Sequence, residues 1–96
     1  MEYIPKNNEN LRGDIIRDGQ IVHKDVLAVI VEGGRHSAVG QNGLYFDFFT
    51  TEVPSMKEND RCKFISSEGE STFQVDLIKK LPAELFQIRF VMSPPY

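Results

Sequence analysis

The sequence contains a single cysteine, Cys62, and no tryptophan. One cysteine excludes an internal disulfide framework and a zinc site built on cysteine pairs, and it favours a reducing setting. No secretory signal opens the chain, and no apolar run approaches the roughly 18 residues of a membrane span. We therefore expect a soluble protein of the cytoplasm.

An excess of positive charge is also missing. The chain has 11 basic and 14 acidic residues, a formal net charge of −3. Such a balance gives no global attraction to phosphate backbones, although a local basic patch is compatible with it. The 96 residues allow one domain with one modest core.

Evidence for helices is sparse, and the apolar runs are short. Proline and glycine supply turn signals after each run, so the pattern predicts strands rather than helices. The predicted strands centre on Ile15-Ile16, Val26–Val31, Leu44–Phe49, Cys62–Ile65 and Phe73–Leu81. Five short strands separated by turns favour an all-β barrel or sandwich.

Both ends of the chain differ from this pattern. Residues 1–10, MEYIPKNNEN, are polar and predict a flexible N-terminal arm. Residues 82–96 form a C-terminal extension, in which PAELF suits at most one helical turn. The following LFQIRFVM alternates, which predicts a sixth strand or an extended tail.

Four aromatic rings lie within five positions of the segment 43–53, GLYFDFFTTEV. Side chains of a strand alternate between its faces, so the even-numbered residues from 44 to 48 form a wholly apolar face, which we assign to the core. The opposite face carries Tyr45, Asp47 and Phe49. A charged aspartate is rarely buried without a partner, which favours an open face. In the alternative, both rings lie under a loop or the C-terminal segment.

Residues 48–53, FFTTEV, and 55–81, SMKENDRCKFISSEGESTFQVDLIKKL, resemble the second half of a cold-shock domain. The shared pattern is an aromatic pair, small hydroxyl residues, an acid, a turn, an alternating strand, an acidic glycine loop and a basic strand end. FFTTEV is most similar to the divergent cold-shock-like domains at the front of some RNA helicases. RGDII, residues 12–16, lies where the family has its first strand, so the resemblance spans roughly residues 11–81.

The resemblance implies a five-stranded barrel of the oligonucleotide-binding (OB) type over residues 11–81. It implies noncatalytic binding of single-stranded nucleic acid, RNA rather than DNA, by stacking bases on exposed rings while basic groups contact phosphates. Phe49 falls where the family usually has a stacking histidine, and Tyr45 shares its face. The positions that correspond to phosphate-facing groups, or that border the face, are Arg12, Arg17, Lys24, Arg35 and His36.

One departure from the family supports a different partner. The second strand of cold-shock domains carries the main stacking aromatics, whereas residues 25–31, DVLAVIV, are aliphatic apart from one aspartate. If Leu27 and Val29 share an open face with Tyr45 and Phe49, the face has the composition of a protein interface. The alternative function is therefore a protein-interaction module, an adaptor or inhibitor, that uses this face or an unpaired edge strand.

Catalysis and cofactor binding are not expected. His36 lies in a glycine-rich segment, residues 33–43, that is followed by a predicted strand where a phosphate loop requires a helix, and that lacks the lysine of such a loop. The segment suits a mobile hairpin loop between two strands. His23 and Cys62 have no sequence pattern of a base and nucleophile. The acids at 52, 58 and 60 are spaced like turn residues rather than metal ligands. We expect no enzyme activity, no metal and no organic cofactor.

Overall fold

The computed structural model describes residues 1–94, which form one antiparallel sheet of seven strands. The sheet order is β2-β1-β5-β6-β7-β4-β3. The strands are β1 (Asn10–Arg17), β2 (Gln20–Val29), β3 (Val31–Arg35), β4 (Asn42–Thr50), β5 (Arg61–Ser66), β6 (Gly69–Leu81) and β7 (Leu85–Met92). The described chain has no helix with the length and hydropathy that a membrane crossing requires.

The expected all-β class is confirmed, but a five-stranded barrel is not. Among residues 1–94 the sheet has seven strands and does not close. One reason is that the run predicted at 26–31 divides at Ile30, where the chain leaves its pairing with β1 and begins to pair with β4. The other is that residues 85–92, expected as a strand or a tail, form β7 between β6 and β4.

The two outermost strands of the sheet are neighbours in the chain. β2 and β3 are separated by Ile30 alone, which is fully buried. Because the chain joins the two ends of the sheet, the sheet curls until β2 lies against β4. No backbone pairing links β2 to β4 in the described part of the chain. We call this boundary the β2–β4 seam.

Two turns show how local sequence directs the hairpins. Asp18 and Gly19, both at positive φ (52° and 77°), reverse the chain between β1 and β2, as the sequence predicts. Residues Pro82–Glu84 form a single 3₁₀ turn. Its Ala83 has φ of 64° and Glu84 of 56°, so the predicted helical turn instead directs the chain straight into β7.

One glycine inside a strand permits a close approach between strands. A Cβ atom at Gly13 in β1 would lie 2.0 Å from the carbonyl oxygen of Ile65 in β5. The glycine of RGDII is therefore required by packing of the backbone, independently of any ligand.

The core is organised around Phe46 of β4, which is 1% exposed. Its ring stacks on Phe90 of β7 at a centroid distance of 5.0 Å, meets Phe73 of β6 edge-on at 5.0 Å and lies 5.5 Å from Phe64 of β5. Offset and edge-to-face contacts are the favoured geometries for aromatic pairs. Four strands are thus joined through one side chain.

The N-terminal residues are hydrogen-bonded to the sheet at two places. The amide of Tyr3 donates to the carbonyl of Glu70 at 2.7 Å, and the hydroxyl of Ser71 donates to the carbonyl of Tyr3 at 2.8 Å. Further along, the amide of Asn8 donates to the carbonyl of Ile30 at 2.8 Å. The segment therefore runs from the start of β6 to the junction of β2 with β3.

Truncating the two faces of β4 separately should have unequal effects on stability. We expect Phe46→Ala to lower the free energy of unfolding by about 3–5 kcal/mol, because it empties the centre of the aromatic core. The matched change Phe49→Ala removes a ring that is 51% exposed, and it should cost about 0.5 kcal/mol or less. Urea unfolding followed by circular dichroism measures both. A larger loss for Phe49→Ala would mean that the faces of β4 are inverted.

Candidate functional site

The register of three strands arranges the outer face of the sheet in rows. Directly opposite residues of antiparallel strands share a face, so the outward side chains of β4, β7 and β6 line up across the strands. The rows are Tyr45–Val91–Gln74, Asp47–Arg89–Leu77 and Phe49–Gln87–Lys79.

The middle row contains a bidentate ion pair. Arg89 Nε donates to Asp47 Oδ1 at 2.7 Å and a terminal guanidinium nitrogen donates to Asp47 Oδ2 at 3.0 Å. These hydrogen bonds from Arg89 to Asp47 raise the pKa of the arginine above its ordinary value. The guanidinium carbon also lies 4.7 Å from the centre of the Tyr45 ring. Asp47 therefore has its partner on the neighbouring strand.

His36 also lies against the ring of Tyr45. The two rings lie 4.9 Å apart and are inclined at 58°. His36 is only 4% exposed, so the segment 33–43 turns its histidine into the fold. With Arg89 and His36 against it, Tyr45 is partly buried.

His36 belongs to a buried polar cluster centred on Asp76, which is 7% exposed. Asp76 Oδ1 accepts hydrogen bonds from the Ser37 hydroxyl at 2.9 Å and the Ala38 amide at 2.8 Å. His36 Nδ1 lies 3.5 Å from Asp76 Oδ2, and His36 Nε2 lies 2.9 Å from the carbonyl oxygen of Gly33. The carboxylate thus fastens the loop between β3 and β4 onto β6.

The cluster has the residue types of a hydrolytic triad without its connectivity. A triad requires the histidine to accept the serine proton while the acid orients the histidine. Here the Ser37 hydroxyl donates to Asp76 and His36 Nε2 faces a backbone carbonyl. Burial raises the pKa of the Cys62 thiol to about 11, and the thiol donates to Met56 Sδ at 3.7 Å.

The exposed apolar residues of the predicted site lie along the seam. Leu27 and Val29 are each 48% exposed and Phe49 is 51% exposed. Val31 pairs with Tyr45. Leu27 lies four residues before Val31, and Phe49 lies four residues after Tyr45. An even spacing along a strand keeps a side chain on the same face, so both residues point outward like Tyr45. We call Leu27, Val29 and Phe49 the apolar lip.

The predicted cations fall into two groups. Arg12 lies 3.4 Å from the carboxylate of Asp25, and Arg17 lies 3.3 Å from that of Asp60 while also donating to the carbonyl of Ser55 at 2.7 Å. Lys24 and Arg35 are exposed and form no ion pair with the described residues. The structure therefore brings together the apolar part of the predicted site and pairs two of its cations with acids.

Four polar residues of this region were not predicted from sequence: Asp76, Lys79, Gln87 and Arg89. Arg89 and Gln87 are recognisable only once β7 is known to lie beside β4, because their partners are 40 or so residues away. Asp76 sits at a register irregularity between Val75 and Leu77, where alternation no longer indicates which face a side chain takes. Within residues 1–94, no group of three or more acidic, histidine or cysteine side chains is placed to hold a metal ion.

Removing the buried carboxylate should release the loop between β3 and β4. We expect Asp76→Ala to lower the free energy of unfolding by about 1–3 kcal/mol, because the Ser37 hydroxyl and Ala38 amide lose their acceptor in a partly buried site. Hydrogen exchange at Ala38 should accelerate. Asp76→Asn keeps an acceptor oxygen and should lose less stability, and Asp47→Ala, at the surface, should leave the Ala38 rate unchanged. Unaltered exchange at Ala38 in Asp76→Ala would contradict the role of the carboxylate.

Comparison with known proteins identifies no relative of this chain. No protein-family model, no curated protein and no solved structure matches the chain.

Proposed function

We propose that this chain is a noncatalytic protein-interaction module, which uses the apolar lip to bind an extended, mainly apolar segment of a partner protein. The observation that supports it is the half-exposure of three large apolar side chains, Leu27, Val29 and Phe49, along one boundary of the sheet. Contiguous exposed apolar side chains with an aromatic member are typical of interface centres.

Two of the cations beside the lip already have carboxylate partners, which favours an apolar partner over an anionic one. Arg12, beside Leu27 in the β1–β2 register, lies within 3.4 Å of Asp25. Arg89, in the row next to Phe49, is bound through two hydrogen bonds to Asp47. Cations that already have carboxylate partners contribute little net attraction to an incoming phosphate or acid. Recognition would then rest on contact area and on shape.

An extended segment suits the seam because of its backbone. β2 lies against β4 without pairing, so in the described chain β2 has one open edge and β4 has an open edge beyond Tyr45, where its pairing with β3 ends. A partner strand can add to such an edge through main-chain hydrogen bonds, and alternate side chains of that strand would contact the lip. The lip would supply specificity and the edge would supply orientation.

A peptide-display selection tests this function directly. We expect peptides selected on the wild-type chain to be rich in aliphatic and aromatic residues and to shift amide resonances of β2 and β4. Affinity should fall by about 30-fold or more in Phe49→Ala and Leu27→Ser, since central anchors contribute about 2 kcal/mol or more. Raising the salt concentration should change the affinity little.

The control variant is Val53→Ser. Val53 is 82% exposed and lies outside the lip, so its replacement should leave peptide affinity unchanged. Equal losses in Val53→Ser and Phe49→Ala would indicate nonspecific apolar adsorption and would overturn the assignment of the lip.

One observation favours a second candidate, the binding of single-stranded nucleic acid. The exposed ring of Phe49 shares a row with the amide of Gln87 and the exposed ammonium of Lys79. A ring for stacking, an amide for base edges and a cation for phosphates are what a strand face needs to bind single-stranded RNA or DNA. Exposed Lys24 and Arg35 would add to the cations. The resemblance to cold-shock domains would place the nucleic acid on such a face.

Titration of the chain with oligouridine and with oligothymidine, followed by amide NMR at low and at moderate salt, tests the second candidate. If it holds, shifts should centre on Phe49, Gln87 and Lys79 and the affinity should fall steeply as salt rises, because bound counterions are released. Lys79→Gln should weaken nucleic-acid binding and reduce the dependence of its affinity on salt concentration, while leaving the binding of the selected peptides unchanged. If no amide resonance shifts on titration at low salt, the nucleic-acid candidate is eliminated.

A further inference from the structure

The inner side of the β2–β4 seam is occupied by a histidine. His23 of β2 is 8% exposed, and its ring centre lies 4.6 Å from that of Phe48 in β4. In the β1–β2 register His23 pairs with Ile15, a core residue that is 1% exposed. The imidazole is therefore buried next to the core residue Ile15 and the ring of Phe48.

Few charges face this imidazole. β1 presents Ile15 and β4 presents Phe48, and neither is titratable. Among the described residues, the carboxylate of Glu52, after β4, is the one charge whose attraction favours a protonated ring. Lys24 and Asp25, which follow His23 on β2, are both exposed. The site therefore provides little compensation for a buried positive charge.

The seam is also the boundary that depends most on side-chain contacts. Every pair of adjacent strands in the sheet order is joined by backbone pairing. β2 and β4, by contrast, meet without it in the described chain. A change that disfavours the contact of His23 with Phe48 therefore acts on the seam before it acts on any paired strands.

We propose that the β2–β4 seam is an acid-sensitive joint: when His23 takes up a proton, its ring leaves Phe48 for water, and β2 separates from β4 while the other strands stay paired. The joint is a property of the free protein. Its effect on partner binding, through movement of Leu27 relative to Phe49, rests on the function proposed above.

The direction of the pH effect follows from burial. Burial lowers the pKa of His23 below its ordinary value of 6.5, and the charge of Glu52 opposes this only in part. The open state, with the ring in water, then binds more protons than the closed state below about pH 6.5. Closure is fully favoured above that pH, and it weakens as the pH falls towards the lowered pKa. The equilibrium constant for opening rises by up to about tenfold per pH unit in this window.

Side-chain NMR of the full chain between pH 7.5 and pH 5 tests the joint, because the amides of β2 and β4 stay paired with β1 and β7 in the open state. Nuclear Overhauser contacts between the rings of His23 and Phe48 should weaken as the pH falls below about 6.5, with the ratio of open to closed protein rising by up to about tenfold per pH unit. Contacts among the core rings around Phe46 should stay constant. In His23→Phe the ring remains apolar without titrating, so its contact with Phe48 should no longer depend on pH. Equal pH dependence in the two proteins would overturn the proposal.

A second variant keeps the test decisive if His23→Phe fails to fold. Glu52 is exposed, and Glu52→Gln removes the charge that favours the protonated ring in the closed state. The loss of the contact between the rings of His23 and Phe48 should then extend to lower pH and become larger. An unchanged profile, or an equal loss of the contacts around Phe46, would refute the joint. Because these readouts need no partner, a failure of peptide binding and a failure of the joint are distinguishable.

Discussion

At Ile30 one extended segment changes its hydrogen-bonding partner from β1 to β4, and the remainder of the sheet is arranged around that change. Ile30 is fully buried, and its backbone also exchanges hydrogen bonds with Asn8 and Glu9 of the N-terminal segment. Because both the side chain and the backbone of Ile30 are held in place, β2 and β3 cannot straighten into one continuous strand. The ends of the sheet are therefore held near each other, and β2 and β4 meet without pairing.

This constraint explains why the aromatic segment of β4 serves two purposes. On its inner face Phe46 joins β5, β6 and β7 through aromatic contacts, which makes β4 a rigid support. On its outer face Tyr45 and Asp47 are occupied by Arg89, whereas Phe49, beyond the last residue that pairs with β3, remains half exposed. An apolar ring on a rigid strand loses little conformational entropy on binding, which is the property expected of an interface anchor.

Alternation and turn chemistry predicted the local features well. The all-β class, the Asp18-Gly19 turn and the inward position of Phe46 follow from side-chain period and backbone preference, which act over a few residues. The division at Ile30, the pairing of Arg89 with Asp47 and the burial of His36 against Asp76 depend on which distant strands meet. No local pattern encodes that, because the partners are separated by up to 42 residues. The paired state of Arg12 and Arg17 was missed for the same reason.

The seam therefore differs in kind from the rest of the molecule. Adjacent strands elsewhere are held by backbone hydrogen bonds whose strength does not depend on side-chain identity, whereas β2 and β4 are held through side chains such as His23 and Phe48. A boundary of that type responds to chemistry that leaves the paired strands untouched, and local opening is expected first where backbone pairing is least. The outer side of the same boundary carries the exposed apolar residues. Occupation of the lip by a partner and the protonation of His23 would thus act on one structural element from its two sides. If protonation of His23 changes the affinity of the lip for a partner, linkage requires the partner to change the proton affinity of His23 by the same factor.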